Sequence, residues 1–163
     1  MSRLTLCAVG LAVILHGPAW SQNSLPDPAA TPGAINPDVT QDNIGDTICA
    51  RGWTRMVRPP FEYTEAIKRR LVRESGYLDH RLSHYELDHL VPLELGGAPS
   101  DVRNLWIELR DAPDGWGADR KDEVEGSLKH LVCDGQLPLA EAQRQIAIDW
   151  ITAYRRYVLE EAE

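Results

Sequence analysis

The chain's first apolar stretch is a run from Leu4 to Leu15, preceded by Arg3 and followed by Pro18-Ala19-Trp20-Ser21. A charged start, a short apolar core and a small-residue exit are the layout of a secretory leader, so residues 1–21 are expected to be a signal peptide, cut after Ser21. The run is too short to span a bilayer. Residues 22–38 are rich in Pro, Ala, Ser and Asn, bury little, and are expected to form a flexible linker. Residues 39–160 are expected to form one domain. Its first part is irregular, with Cys49, Trp53, Met56 and Val57 as core contacts, and Pro59-Pro60 stops any regular element. Ala66, Ile67, Leu71 and Val72 then recur at helical spacing from a Thr64 cap to Gly76. Leu87–Val91 and Asn104–Leu109 read as two strands, joined by Gly96-Gly97 and a polar stretch. A helix is predicted from Ala118 to Cys133, with Val124, Leu128, Leu131 and Val132 on one face. A last helix opens near Pro138 and buries Ala142, Ile146, Trp150, Ala153, Tyr154 and Tyr157. The order helix, strand, strand, helix, helix predicts an α+β fold.

Two counts change the picture. The formal charge is −8, and −9 once Arg3 leaves with the leader, which argues against a generic basic nucleic-acid coat. Yet Arg51, Arg55, Arg58, Lys68, Arg69, Arg70 and Arg73 face only Glu62 and Glu65 in that interval. Either a local basic surface or a solvated helix face accounts for them. Export also changes the meaning of the cysteines. Beyond Cys7 in the leader there remain Cys49 and Cys133, an even pair in an oxidising compartment, which predicts one disulfide. Two buried thiols or two metal thiolates are the alternatives, the second weakened because neither cysteine has a neighbour at zinc-ligand spacing.

The stretch from Tyr85 to Gly97, followed by Asn104-Leu105-Trp106, is where chemistry is expected. Phosphodiester hydrolysis at neutral pH needs a base for water and a cation for the charge that develops on oxygen. Histidine titrates in the right range, and a neighbouring carboxylate can hold a hard cation. Asp88-His89 supplies both if the strand ends or bulges there, because strict alternation sends adjacent side chains to opposite faces.

Asp88-His89-x-x-Pro92-Leu93-x-x-Gly96-Gly97 with Asn104-Leu105-Trp106 resembles the HNH endonucleases, the ββα-metal nucleases. It is closest to small exported bacterial members with a stretch such as Cys49-Ala50-Arg51-Gly52-Trp53-Thr54 upstream. The resemblance implies a ββα-metal hairpin-helix core with additional flanking helices. Asp88 matches a metal ligand, His89 the general base, and Asn104 the asparagine that ties the loop and orients the histidine. A divalent cation is implied, most often Mg²⁺, with Mn²⁺ or Zn²⁺ as alternatives, together with nucleic acid as substrate, DNA ahead of RNA. The chain departs from the pattern at Ala118, where a second metal ligand is expected three residues before Lys121. Helical geometry offers Glu125 as the substitute ligand, then Asp122 and Glu86. A Lys121–Glu125–Lys129 ladder of helix pairs explains the same residues without a metal. Arg103 and Lys121 are expected at substrate phosphates, which give affinity without sequence information. Trp53, Trp106 and Trp150 are expected in the core. The expected product is an exported, periplasmic or secreted endonuclease with no membrane segment once the leader is removed. The alternative is an exported binding protein that kept the hairpin and lost catalysis.

Overall fold

The computed structural model describes residues 24–160, so the expected signal peptide lies outside the described residues. The fold is mixed α+β, a two-stranded antiparallel hairpin packed against several helices. In chain order these are α1 (Trp53–Val57), α2 (Phe61–Glu74), β1 (Tyr85–His89), β2 (Leu105–Leu109), α3 (Ala118–Cys133) and α4 (Leu139–Tyr154), which continues through Arg155–Leu159.

Helix α2 begins three residues before the expected Thr64 cap. Pro60 has the extended backbone of a capping position, and Thr64 instead donates to Phe61 O within the first turn. Strand β1 lies two residues earlier than the alternation suggested, because Leu90 and Val91 leave the ladder for the core. Helix α4 is interrupted at Asp149, whose carboxylate accepts from Thr152 N at 3.0 Å and so caps the helix that follows.

The strands pair Tyr85 with Leu109, Glu86 with Glu108, Leu87 with Ile107, Asp88 with Trp106 and His89 with Leu105. No extra residue interrupts this register, so side chains alternate strictly. Glu86, Asp88, Trp106 and Glu108 share one face; Tyr85, Leu87, His89, Leu105 and Ile107 share the other. Helix α2 covers the second face, packing Val72 against Tyr85 and Ile107. Helix α3 covers the first, where Trp106 joins Val124 and Leu128 in the main core. Helix α4 closes that core with Ala142, Ile146 and Trp150, all fully buried.

Cys49 and Cys133 form a disulfide, with Cα atoms 5.7 Å apart. This excludes free thiols and metal thiolates at those positions. The bond ties the segment entering α1 to the end of α3, and Trp53 adds a hydrogen bond from Nε1 to Leu93 O at 3.2 Å. Among the described residues no helix is long and apolar enough to cross a membrane.

The described part of the expected linker is not a free tether. Trp150 Nε1 donates to Ser24 O at 2.8 Å, Gly33 N to Arg103 O at 3.1 Å, and Ile35 bridges to Gly97. A Pro- and Ala-rich composition reads as a tether because it has few groups to bury. Here the backbone itself supplies the partners, edging the loop that joins the strands.

Candidate active site

The loop between the strands is built around Asn104, which is fully buried. Its Oδ1 accepts from Val91 N at 2.9 Å, and its Nδ2 donates to Val91 O at 2.9 Å and Ala98 O at 3.2 Å. An amide is the side chain that supplies acceptor and donors together, which fits this position. Gly97 lets the strands close this tightly, because a Cβ there would fall 1.7 Å from Val91 O. Asn104 therefore fixes the loop at Ala98, one residue before the carbonyl that holds the histidine.

His89 ends β1 and is 5% exposed. Its Nε2 lies 2.9 Å from Pro99 O. A carbonyl can only accept, so Nε2 carries the proton and, in the neutral ring, Nδ1 carries the lone pair. Burial lowers the imidazole pKa, opposed by the Pro99 bond and the Asp88 charge and helped by Arg58 and Lys121. The ring is thus held in its neutral form at physiological pH.

Asp88 leaves the strand on the opposite face, toward α3. There it meets a cation, and the cation is Lys121. The ammonium lies 2.6 Å from Asp88 Oδ2, donates to His89 O at 2.9 Å, and makes an ion pair with Glu125. Three oxygens thus surround a group with three protons, which is how a side chain only 1% exposed keeps its charge. Burial alone would lower the Lys121 pKa; Asp88, Glu125 and Glu108 overcome it and raise it. This corrects the expectation that Lys121 touches substrate phosphate, since its charge is spent inside the protein.

Glu125 does reach the Asp88 side of the hairpin, as helical geometry predicted, but through Lys121. Burial raises its pKa, and Lys121 pulls against that rise. Glu108 was not foreseen as a site residue. It is 2% exposed, on the same face as Asp88, and neither carboxylate oxygen has a hydrogen-bond partner among the described residues. Burial first, then the Asp88 charge, raise its pKa to about 9. The opposition of Glu86 and Glu108 in the hairpin is the signal that could have found it.

No family model, no curated protein and no solved structure matches the chain.

The remaining expected residues scatter. Arg103 pairs with Asp101 at 2.6 Å, and among the described residues it makes no ion pair or side-chain hydrogen bond with Asp88, His89 or Lys121. Ala118 is buried and offers no ligand atom. Glu86 is held by Arg110 at 2.8 Å. Asp122 and Glu125 instead line a polar cleft of about 410 Å³ with Thr54 and Arg58. Arg58 is the second residue not singled out beforehand. It belongs to the basic stretch 51–73, and its charge is felt at His89.

The metal implied by the resemblance can be tested against these residues. Two carboxylates do converge, and sealed Glu108 oxygens lie on the same face, but an ammonium stands between Asp88 and Glu125. Among the described residues no group of three or more His, Cys, Asp or Glu is placed to hold a metal ion. A divalent ion does not fit this arrangement.

The raised Glu108 carboxyl has a consequence for stability. Between the unfolded value of 4.5 and the folded value of about 9, the native state holds a proton that the unfolded chain has lost. Its contribution is therefore fully present below pH 4.5 and is lost as pH rises from 4.5 through about 9, at up to about 1.4 kcal/mol per pH unit. Urea denaturation at pH 5 and pH 8 is expected to show Glu108→Gln losing less stability over this range than the wild type. Equal losses would mean that Glu108 is ionised in the fold.

Proposed function

We propose that the chain is an endonuclease hydrolysing phosphodiester bonds of nucleic acid, DNA foremost, with His89 as general base. The observation that carries this reading is the Nε2–H bond to Pro99 O. It fixes the tautomer and leaves Nδ1 to take the proton from an attacking water. Asn104 is a positioning residue, acting through the loop that presents the Pro99 carbonyl. Arg58 is the cation assigned to offset charge on the phosphate, and the basic stretch 51–73 gives the acidic chain a place to meet a polyanion. Export to the periplasm or beyond belongs to the same reading. The leader-like run and the disulfide, a bond that oxidising compartments maintain, support it. Export would also keep a nuclease away from the chromosome.

A second reading has one observation in its favour. Lys121 takes the Asp88 carboxylate out of use, as in a binding protein that kept the hairpin without its chemistry. Supercoiled plasmid and a labelled RNA, incubated with wild type and His89→Ala in Mg²⁺, Mn²⁺ or EDTA, separate the two. Cleavage by the wild type is expected, and His89→Ala is expected to lower its rate by about 10²- to 10⁴-fold. Cleavage unchanged in His89→Ala overturns the base assignment. No cleavage of either substrate under any condition leaves the binding protein as the reading.

A further inference from the structure

We propose that Lys121 is the resident cation of this site: its ammonium stands where a divalent ion would bridge Asp88 and Glu125, so the wild-type chain excludes Mg²⁺ and Mn²⁺, and removing the ammonium admits them. The position is shared in a literal sense. Nζ lies 2.6 Å from Asp88 Oδ2 and pairs with Glu125 from the next turn of α3. A hard divalent ion bound to that carboxylate would sit about 2.0–2.6 Å from the same oxygen, so the two cations compete for one place. The lysine is also difficult to move. It is buried along its length and donates to His89 O at 2.9 Å, so leaving means opening the contact between α3 and the hairpin.

Two independent features agree. Ala118, one turn earlier on α3, is buried and too short to ligate anything, so the helix has no ligand there and supplies a cation at Lys121. Glu108, sealed on the Asp88 face without a hydrogen-bond partner among the described residues, is a further carboxyl whose oxygens no other group has claimed once Lys121 is gone. The inference does not rest on catalysis, because its readout is metal binding; a chain that cleaves nothing tests it equally well.

Calorimetric titration with MnCl₂, checked by the electron paramagnetic resonance signal of free Mn²⁺, decides it on the oxidised full chain. The wild type is expected to show no saturable Mn²⁺ binding up to about 1 mM. Lys121→Met is expected to gain one site, tighter by about 10- to 100-fold, the range by which groups touching a metal's ligands alter its affinity. Adding Asp88→Asn should abolish that gain. Lys121→Gln, which keeps a donor toward His89 O, repeats the test should the methionine variant fold poorly. One-to-one binding by the wild type that Asp88→Asn removes overturns the proposal, and this arm needs no lysine variant. So does a folded Lys121 variant without the new site, or failure of Mn²⁺ to fold both variants if neither folds alone.

Discussion

Replacing Lys121 with methionine is expected to lower the stability of the chain by about 3–5 kcal/mol, the cost of removing one partner from a buried ion pair. Methionine nearly matches the lysine stem in volume, so little of this loss is cavity. The rest is electrostatic. Asp88 loses its partner at 2.6 Å, Glu125 loses its ion pair, and His89 O loses a donor. Combining Lys121→Met with Asp88→Asn should therefore recover part of the loss, because the uncompensated carboxylate goes with its partner. Urea titration followed by tryptophan fluorescence measures both. A double variant no more stable than the single one would show that the lysine stem, rather than its charge, holds α3 to the hairpin.

Cutting the Cys49–Cys133 bond carries the other large effect. It joins residues 84 apart in sequence, and loop-closure entropy for a loop of that size gives about 4–5 kcal/mol of stabilisation. The local consequence matters as well. The bond anchors the segment that enters α1, and α1 leads to Arg58 on the wall of the polar cleft. A Cys49→Ser/Cys133→Ser chain is expected to be less stable by that amount in urea titration, unfolding at a lower urea concentration. Its Trp53 environment should loosen before the hairpin does. A loss below about 1 kcal/mol would mean that the reduced chain keeps this loop closed without the bond.

The sequence carried some of this better than the rest, for physical reasons. Helix α3 was legible to the residue, since its apolar positions repeat cleanly and Gly135 follows its end. The disulfide followed from parity and compartment, not from geometry. The hairpin was legible as a pair of strands, but its register was not, and register decides the site. With His89 opposite Leu105 and no bulge, Asp88 and His89 leave on opposite faces. The pocket in which they would converge is replaced by an imidazole held from one side and a carboxylate neutralised from the other. A one-residue bulge would have reversed that, and nothing in the local residue pattern distinguishes the two cases.

Lys121 shows the same limit. Its spacing to Glu125 predicts a helix pair of modest value on an exposed surface. The packing of α3 against the hairpin turns that pair into a buried cluster, which only long-range contacts reveal. Glu108 and Arg58 escaped notice because each looks ordinary in its own segment, one a polar residue in a strand and the other one of seven basic residues. The composition of residues 22–38 also misled. It describes what the side chains lack, whereas the described part of the segment is held by backbone hydrogen bonds to Arg103, Gly96 and Trp150.

For His89 to serve as the base it must be a neutral imidazole with its proton on Nε2 and its lone pair on Nδ1. Long-range proton–nitrogen correlation spectra of the ¹⁵N-labelled chain at pH 7 read this directly. The expected spectrum has a protonated Nε2, an unprotonated Nδ1, and titration below the usual histidine range. A protonated Nδ1, or a doubly protonated ring at that pH, would contradict the assignment of His89 as the base.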